Sequence, residues 1–466
     1  MLATRTRSPW VLVRHTLYTR CCSSTNRSVA RRSIAGVARQ QQQQTFVNRP
    51  TSLTISIRFR HATATATEEA TVATKELPKP VYRTLAFYKF HPLDQYDLPQ
   101  FRQQLLDDLA RWQIVGRIYI STEGINAQVS CPEQHLSDLQ RYCEEIIKPK
   151  VGNELMDFNP TTDDSGERAF RRLHVRIRKQ LVADGLDPAS YDLANTPSHL
   201  SPAEWHEKLS TYRKKHGHDP VLIDMRNHYE SEIGYFEGAI RPDVETFRGS
   251  IKSMNEIVKD VPREQEVFMY CTGGIRCSKA GAILQSASGF KTVHLIEGGI
   301  TAYGRWIREQ NMQKESLFRG KNFTFDKRMG EPITDEVFGK CHICGEPSNR
   351  YQNCAHSSCN CLMICCSRCA ARFLNTCGRL QCYDTVHEFK SKAPAEYYDK
   401  AGPIVINGIR AYVKEGDSGK RVVIGRSGAE CEHKYLTRTR ATDILGQPGD
   451  VLKEWAKAGR ELPPEQ

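Results

Sequence analysis

The sequence predicts a multidomain protein that joins an α+β domain, an α/β domain and a cysteine-rich C-terminal module. Three observations support this fold class. Residues 81–182 carry strand-like and helix-like patterns in the order β-α-β-β-α-β, residues 203–312 alternate helix and strand, and ten of the seventeen cysteines lie between residues 341 and 382. The 466 residues leave room for these units and for extensions at both ends.

The first predicted domain covers residues 81–182. Its elements are strands at 83–90, 115–121, 124–130 and 173–178, and helices at 98–112 and 133–147. This order suggests a ferredoxin-like split βαβ fold, which hosts many functions and therefore indicates none by itself. Arg172, Arg176 and Arg178 alternate along the last strand, where they either contact phosphates or form a solvated strand face.

A linker at 183–202 precedes the second predicted domain, residues 203–312. The elements predicted there are a helix at 203–215, strands at 220–224, 266–270 and 292–296, and a helix at 278–285 that Gly289 would end. Because helices and strands alternate, we expect a small parallel α/β domain.

Residues 271–277 read Cys-Thr-Gly-Gly-Ile-Arg-Cys and join a predicted strand to a predicted helix. Loop amides and the helix N-terminus would point toward Cys271, and Arg276 adds a positive charge. These surroundings stabilise a thiolate or a persulfide and lower the pKa of the thiol. We therefore predict that Cys271 is a nucleophile rather than a structural cysteine. Cys277 is either a second thiol, which resolves a persulfide or forms a disulfide with Cys271, or a small apolar side chain in the first helical turn, which is the preferred interpretation.

The motifs around this loop resemble those of rhodanese domains. They are Ile223-Asp-Met-Arg226, Tyr229-Glu230, Gly234-Tyr-Phe-Glu-Gly-Ala239, Cys271–Cys277, and His294-Leu-Ile-Glu-Gly-Gly299 followed by Trp306. Rhodaneses use the loop cysteine to accept a sulfane sulfur, hold it as a persulfide and pass it on. The resemblance implies that Cys271 carries the persulfide, that Asp224 and Arg226 brace the loop, and that Arg276 and the loop amides hold the anionic group.

The length of the loop separates two chemistries. Four residues lie between Cys271 and Arg276, namely Thr272, Gly273, Gly274 and Ile275. The related cysteine phosphatases have five residues there and surround a phosphate. The shorter loop therefore favours a smaller group such as sulfur.

A wider set of motifs resembles the family of oxygen-dependent tRNA uridine hydroxylases over residues 81–383. These motifs are Glu123-Gly-Ile-Asn-Ala-Gln128, Val182-Ala-Asp-Gly185, Asp224–Glu230, Cys271–Cys277 and Gly320–Glu331. The resemblance implies an acylphosphatase-like domain, a rhodanese domain and a Cys-rich segment, with tRNA as partner. It also implies 5-hydroxylation of the wobble uridine, with molecular oxygen as cosubstrate and the loop cysteine required. The family is best known from bacteria, and residues 384–466 lack the short basic tail that it leads us to expect.

The residues alone favour a different chemistry, which is sulfur transfer from thiosulfate or from a protein persulfide. The sequence contains no flavin or nicotinamide fingerprint and no obvious two-His-one-carboxylate iron site. A third interpretation is a non-catalytic scaffold, and the presence of both Cys271 and Arg276 argues against it.

Eight of the clustered cysteines follow a scheme of short pairs. They are Cys341-x2-Cys344, Cys354-x4-Cys359, Cys366-x2-Cys369 and Cys377-x4-Cys382. Such pairs predict two closed four-cysteine zinc sites, and an iron–sulfur cluster is the alternative. The spacing does not say which pairs share an ion, and Cys361, Cys365 and His356 are spare or alternative ligands.

The N-terminal residues 1–67 contain eleven Arg, no Lys and no acidic residue. This composition is typical of a mitochondrial transit peptide, and the alternative is an extension without a targeting signal on a cytoplasmic protein.

Residues 68–466 contain the other 55 of the 66 basic residues and all 54 acidic residues, so their net charge is close to zero. Any RNA contact in this part of the chain must therefore use local basic patches. No apolar run is long enough to predict a membrane span. Residues 384–466 are expected to form a partly ordered tail with a short helix at 449–458.

Overall fold

The strand-like and helix-like patterns of the first segment form a five-stranded sheet with helices in a computed structural model of the protein. The structure describes residues 80–152, 158–161, 166–356, 359–392, 403–406, 409–416, 419–424 and 440–465. The predicted transit segment at 1–67 lies outside the described residues. The combination of α+β and α/β domains with a cysteine-rich module is confirmed.

The first domain follows the expected order with one addition. Its elements are β1 (Tyr82–Phe90), α1 (Leu98–Arg111), β2 (Val115–Ser121), β3 (Gly124–Pro132), α2 (Leu136–Tyr142), a π-helical turn (Cys143–Ile147), α3 (Lys148–Val151), β4 (Asn159–Pro160) and β5 (Leu173–Ile177). Helix α1 buries Phe101, Leu105 and Leu109 against the sheet, because these apolar residues recur at helical spacing.

The sheet order is β4-β1-β3-β2-β5. The strand at 173–178 was expected to be the fourth, but it is the fifth and pairs in parallel with β2. The fourth strand is the two-residue β4, which pairs with β1 at the opposite edge. Two residues are too short to carry an alternating pattern, so the sequence could not reveal this strand.

The second domain is a parallel sheet with helices on both faces. Its elements are β6 (His199–Leu200), α4 (Pro202–His216), β7 (Val221–Asp224), α5 (His228–Ser231), β8 (Gly234–Phe236), α6 (Phe247–Val258), β9 (Val267–Tyr270), α7 (Ile275–Ser288), β10 (Val293–Ile296) and α8 (Gly299–Glu309). The sheet order is β6-β10-β9-β7, and every pair in it is parallel. Val267 and Met269 pack toward α6 and α7, whereas Phe268 and Tyr270 pack toward α4 and α8.

The segment after α8 returns to the second domain before it enters the cysteine-rich module. The later elements are β11 (Phe318–Asn322), β12 (Glu331–Pro332), β13 (Tyr351–Asn353), β14 (Leu362–Ile364), α9 (Ser367–Arg372), α10 (Leu380–Lys392), β15 (Pro403–Ile406), β16 (Ile409–Gly416), β17 (Gly419–Ile424), α11 (Ala441–Leu445) and α12 (Asp450–Lys457). Strand β11 pairs with β8. The expected helix at 449–458 is present as α12, and its Trp455 is buried in the core of the cysteine-rich module. No helix of the described residues has the length and apolarity that a membrane crossing requires.

Candidate active site

The nucleophile loop lies where the sequence places it, between a buried strand and a helix. Strand β9 ends at Tyr270, Cys271 follows directly, and α7 begins at Ile275. Gly274 precedes the helix with a φ of 97°, a conformation that favours glycine. A Cβ at this position would also lie 2.8 Å from the Tyr88 hydroxyl, so the first domain approaches the loop closely here.

The Cys271 thiol is held in its ionised form by its immediate neighbours. Burial raises its pKa, but the Cys277 thiol, the Arg276 charge and the backbone N–H groups of Cys277 and Gly274 together lower it to about 6. The Gly274 N–H donates to Sγ over 3.2 Å. The thiolate therefore predominates at neutral pH and lies at the N-terminus of α7.

Cys277 lies in the first turn of α7 within the apolar core, as the preferred sequence interpretation expects, and it also acts on the Cys271 thiol. Its side chain is buried and hydrogen bonds to Cys271. Burial and this contact raise the pKa of Cys277 well above its usual value, so it stays a protonated donor to the thiolate. Resolution of a persulfide by Cys277 stays a prediction.

Arg276 is paired with Glu230, a residue that belongs to a motif of the sequence but had no role assigned from the sequence alone. Its two terminal nitrogens donate to the two Glu230 oxygens over 2.6 and 2.7 Å, and both side chains are buried. The Thr272 hydroxyl lies 3.0 Å from Glu230 and 3.1 Å from Arg276. Glu230 thus neutralises most of the charge that was expected to hold an anion. The predicted anion-binding role of Thr272, Gly273, Gly274 and Ile275 stays a prediction, with only the Gly274 and Cys277 amides placed on the sulfur.

Asp224 and Arg226 form a second buried ion pair beside the loop. Arg226 donates to Asp224 through Nε over 2.9 Å and through Nη2 over 2.7 Å. It also donates to the carbonyl oxygens of Gly234 and Glu230. The pair therefore fixes the segment that presents Glu230, and it braces the loop through that residue.

Lys279, on the first turns of α7, connects the loop helix to the first domain. Its ammonium group is fully buried and lies 2.7 Å from Glu123 and 2.6 Å from Asp184. It also donates to the Val182 carbonyl over 2.9 Å. Sequence reasoning quoted the motifs that contain Glu123 and Asp184 but gave them no physical role. The structure shows that Glu123 fixes the loop helix against the first domain and that Asp184 fixes it against the linker.

Replacement of Lys279 by methionine should destabilise the protein by about 3–5 kcal/mol, because it leaves two buried carboxylates without a counterion. The measurement is the free energy of unfolding in guanidinium. The matched control is Lys291→Met, which removes a lysine from an exposed pair with Glu264 and should change the free energy of unfolding far less. Equal losses for the two variants would contradict the structural role of Lys279.

A cavity of about 340 Å³ lies between the first domain and the loop. The first domain contributes Phe87, Tyr88 and Phe158, and the second contributes Gly273 and Arg305. Tyr88 also hydrogen bonds to Ser278 over 2.8 Å across the domain boundary. This cavity, called the interdomain cavity below, was not predicted from the sequence, because its walls come from distant segments.

The eight paired cysteines form two groups of four thiols. One group is Cys341, Cys344, Cys366 and Cys369, and the other is Cys354, Cys359, Cys377 and Cys382; within each group the sulfur atoms lie within 4.8 Å of one another. The first and third pairs along the chain share one group, and the second and fourth share the other. The two groups are therefore interleaved, an arrangement that the sequence left open. Each group could hold one metal ion.

The spare ligands lie outside these groups. Cys361 and Cys365 are buried and direct their thiols toward the carbonyls of Leu362 and Cys366. His356 is buried beside the second group, and burial lowers its pKa. These three side chains are not needed to complete either set of four ligands.

Comparisons with known proteins match all three regions. The UPF0176 acylphosphatase-like domain matches residues 82–181, the rhodanese-like domain 206–305, and the Rhodanase C-terminal family 319–383. A tRNA uridine(34) hydroxylase of Cronobacter sakazakii is 38% identical over 297 residues, which are 64% of this chain and 80% of that protein. A protein of the same name from Yersinia pestis is 38% identical over 300 residues, 64% of this chain and 79% of that protein. A solved rhodanese-like domain from an Anabaena species is 19% identical and covers 23% of this chain and 73% of that chain, with a TM-score of 0.18.

Proposed function

Since the chain belongs to the family of tRNA uridine(34) hydroxylases, we propose that it hydroxylates C5 of the wobble uridine of tRNA, with molecular oxygen as cosubstrate. The observation that carries this proposal is the buried Cys271, whose pKa is lowered to about 6 in the loop that the family shares with rhodaneses. The names of similar relatives give the substrate, and in this chain the loop that carries Cys271 borders a cavity through Gly273.

Cys271 supplies a nucleophile to this reaction. A thiolate can add to an electron-poor carbon such as C6 of a uracil ring, so that a C6–S bond forms and the electron pair of the C5–C6 double bond moves toward C5. After C5 has been hydroxylated by the cosubstrate, loss of the C5 proton expels the thiolate from C6 and restores the double bond. Cys277 keeps the thiolate ionised by donating to it, and the Arg276–Glu230 pair holds the loop in place. These residues thus position and ionise the sulfur.

The proposal is tested by comparing tRNA nucleosides by mass spectrometry in cells with and without the gene. Loss of 5-hydroxyuridine derivatives from the cells without the gene is expected. Unchanged amounts of these nucleosides would contradict the proposal.

The edge strand β5 supports tRNA as the partner. Residues 168–179 contain six Arg and Lys residues and no acidic residue. All six of these side chains are exposed. Residues 68–466 as a whole have nearly equal numbers of basic and acidic residues, so this edge is a local basic patch in a nearly neutral part of the chain. Such a patch can contact phosphates.

Replacement of Arg172, Arg176 and Arg178 together by glutamine should weaken tRNA binding and reduce its salt dependence. A plot of the logarithm of the tRNA association constant against the logarithm of salt concentration has a negative slope. Loss of three phosphate contacts would make this slope shallower by about 2–3. Filter binding of tRNA at several salt concentrations measures both quantities.

A matched control removes three exposed cations from the end of α4, namely Arg213, Lys214 and Lys215. This control should leave the salt slope unchanged. An equal effect of the two triple variants would show that the patch on β5 is not the tRNA surface.

Sulfur transfer is the second candidate function, with thiosulfate or a persulfide-bearing protein as the donor. The four-residue spacing between Cys271 and Arg276 and the lowered pKa of Cys271 favour it. Transfer of sulfur from thiosulfate to cyanide that disappears in Cys271→Ser would support this reaction.

We also propose that each four-cysteine group holds a zinc ion. A tetrahedral ion with Zn–S bonds of about 2.3 Å places its sulfur ligands about 3.8 Å apart. The Cys344–Cys366 and Cys359–Cys377 sulfur distances of 3.8 and 4.0 Å fit this geometry. Iron–sulfur clusters distribute their thiolates over several irons, so they fit such close sulfur atoms less well. Zinc would organise the fold of the module, and a brown protein that absorbs at roughly 400 nm would contradict it.

Mitochondrial targeting is proposed for residues 1–67, and a cytoplasmic location is the alternative. The proposal is supported by eleven Arg and the absence of acidic residues in this segment. Sequencing the N-terminus of the protein from its native cells tests it, and an intact Met1 would contradict it.

A further inference from the structure

The interdomain cavity has the size and the walls of a nucleotide site. Its volume of about 340 Å³ falls at the lower end of the range of small-ligand pockets. The first domain contributes Phe87, Tyr88 and Phe158 to the lining of the cavity. The rings of Phe87 and Phe158 lie 5.4 Å apart, and Phe158 is only partly buried. An aromatic face that remains accessible is the surface on which an unstacked base packs.

The opposite wall is backbone that belongs to the nucleophile loop. Gly273 lines the cavity, and a Cβ built on it would meet no atom within 4 Å. Gly298 lies beside it and accepts a hydrogen bond of 2.6 Å from the Asn159 amide. A planar ring packed against this wall would contact Gly273, which is two residues after Cys271 in the sequence. The cavity therefore borders the loop that carries Cys271, although the buried Cys271 side chain is not among the residues that line it.

Arg305 supplies the cavity with a positive charge that is little neutralised. Its Nη1 donates to the neutral oxygens of Asn159 and Pro160, over 3.0 and 2.6 Å. Among the described residues its ion pair is with Glu309, at 3.9 Å. Burial lowers the pKa of Arg305, as expected for a cation with weak compensation. An anionic group in the cavity, such as a nucleotide phosphate, would provide that compensation.

Glu297 also lines the cavity, with an exposed carboxylate. A carboxylate accepts hydrogen bonds when ionised, and the N3–H of uracil is a donor, whereas N3 of cytosine is an acceptor. The cavity thus combines an aromatic wall, a cation and an acceptor, which together match a uridine nucleotide better than a cytidine nucleotide.

We propose that the interdomain cavity receives the target uridine nucleotide, turned out of the anticodon loop. In this arrangement Phe158 stacks on the base and Arg305 binds its phosphate. Enzymes that act on a base withdraw it from its stack into such a pocket, at low cost in a single-stranded loop. This proposal rests on the proposed function for the identity of the RNA, and it assigns to the first domain a direct part in binding the substrate.

The test is the binding of a short fluorescent anticodon stem-loop RNA, with either uridine or an abasic residue at the wobble position. We expect the wild type to bind the uridine RNA about tenfold more tightly than the abasic RNA. Phe158→Ala should remove this difference, and Arg305→Gln should weaken binding of the uridine RNA by about tenfold. Equal binding of the two RNAs by the wild type, or a difference that survives Phe158→Ala, would overturn the proposal.

Two control variants account for nonspecific effects. Arg308→Gln removes an exposed cation from the same helix α8, and Phe338→Ala removes an exposed aromatic ring; neither side chain lines the cavity. Both controls should bind the RNAs like the wild type, and a loss equal to that of Arg305→Gln or Phe158→Ala would overturn the assignment. If base discrimination is found but cells show no 5-hydroxyuridine, the cavity assignment stands and the proposed reaction fails. If hydroxylation occurs without base discrimination, the cavity assignment fails alone.

Discussion

Replacement of Cys271 by serine is expected to lower wobble-uridine hydroxylation below about one thousandth of the wild-type level, because a serine hydroxyl does not ionise in the surroundings that ionise the thiol. The measurement is the fraction of 5-hydroxyuridine in tRNA from cells that carry only the variant gene. The control is Cys131→Ala in the first domain, where burial raises the thiol pKa to about 12 and makes it unreactive. Hydroxylation that survives in Cys271→Ser would remove this residue from the reaction.

The same residue predicts a pH dependence. Because the pKa of Cys271 is lowered to about 6, its alkylation by iodoacetamide should rise with pH through about 6 and then level off. Cys277→Ala removes a hydrogen-bond donor to the thiolate and should move this midpoint upward, whereas Cys277→Ser keeps a donor and should move it less. Site-resolved mass spectrometry follows the alkylation. A midpoint that is the same in all three proteins would show that Cys277 does not stabilise the thiolate.

Loss of one of the cysteines proposed to bind zinc is expected to unfold the whole cysteine-rich module. Structural zinc contributes an apparent folding free energy of about 10–16 kcal/mol in small metal-dependent domains. Because the two groups of cysteines are interleaved, Cys359→Ser should release its own ion and also loosen the other site, whose ligands lie on both sides of it in sequence. The expected result is fewer than two bound ions per chain and rapid proteolysis between residues 341 and 392.

The control for this experiment is Cys361→Ser, which changes a buried thiol outside both groups. It should keep two ions and resist proteolysis. Mass spectrometry of the metal content and the rate of proteolytic cleavage distinguish the Cys359→Ser variant from the Cys361→Ser control. Two ions retained by Cys359→Ser, or one lost by Cys361→Ser, would contradict the ligand assignment.

Local sequence was sufficient to predict the nucleophile loop. The strand before Cys271, the glycine-containing loop after it and the helix that ends at Gly289 are each predicted from neighbouring residues, and the structure has them in this order. The four cysteine pairs could also be recognised from local sequence, because only two or four residues separate the two cysteines of each pair.

The partners of these residues could not be predicted in the same way. Glu230 meets Arg276 from 46 residues away, and its pairing depends on how β7 and β9 align. Which cysteine pairs share an ion depends on the β13–β14 hairpin, which folds the middle of the module back on itself. The pairing of β5 with β2 likewise could not be predicted from local sequence, because the neighbour of a strand is selected by the tertiary packing of the sheet.

The buried Lys279 restricts how genes of this kind can recombine. Domains that meet through exposed surfaces can be exchanged between proteins, because each keeps a soluble surface after separation. A second domain transplanted without Glu123 and Asp184 would instead carry a lysine adapted to two carboxylates that its new host lacks. The first two domains are therefore expected to be inherited as a single unit, and a functional chimera would need its junction on the N-terminal side of Glu123 or a compensating change at Lys279.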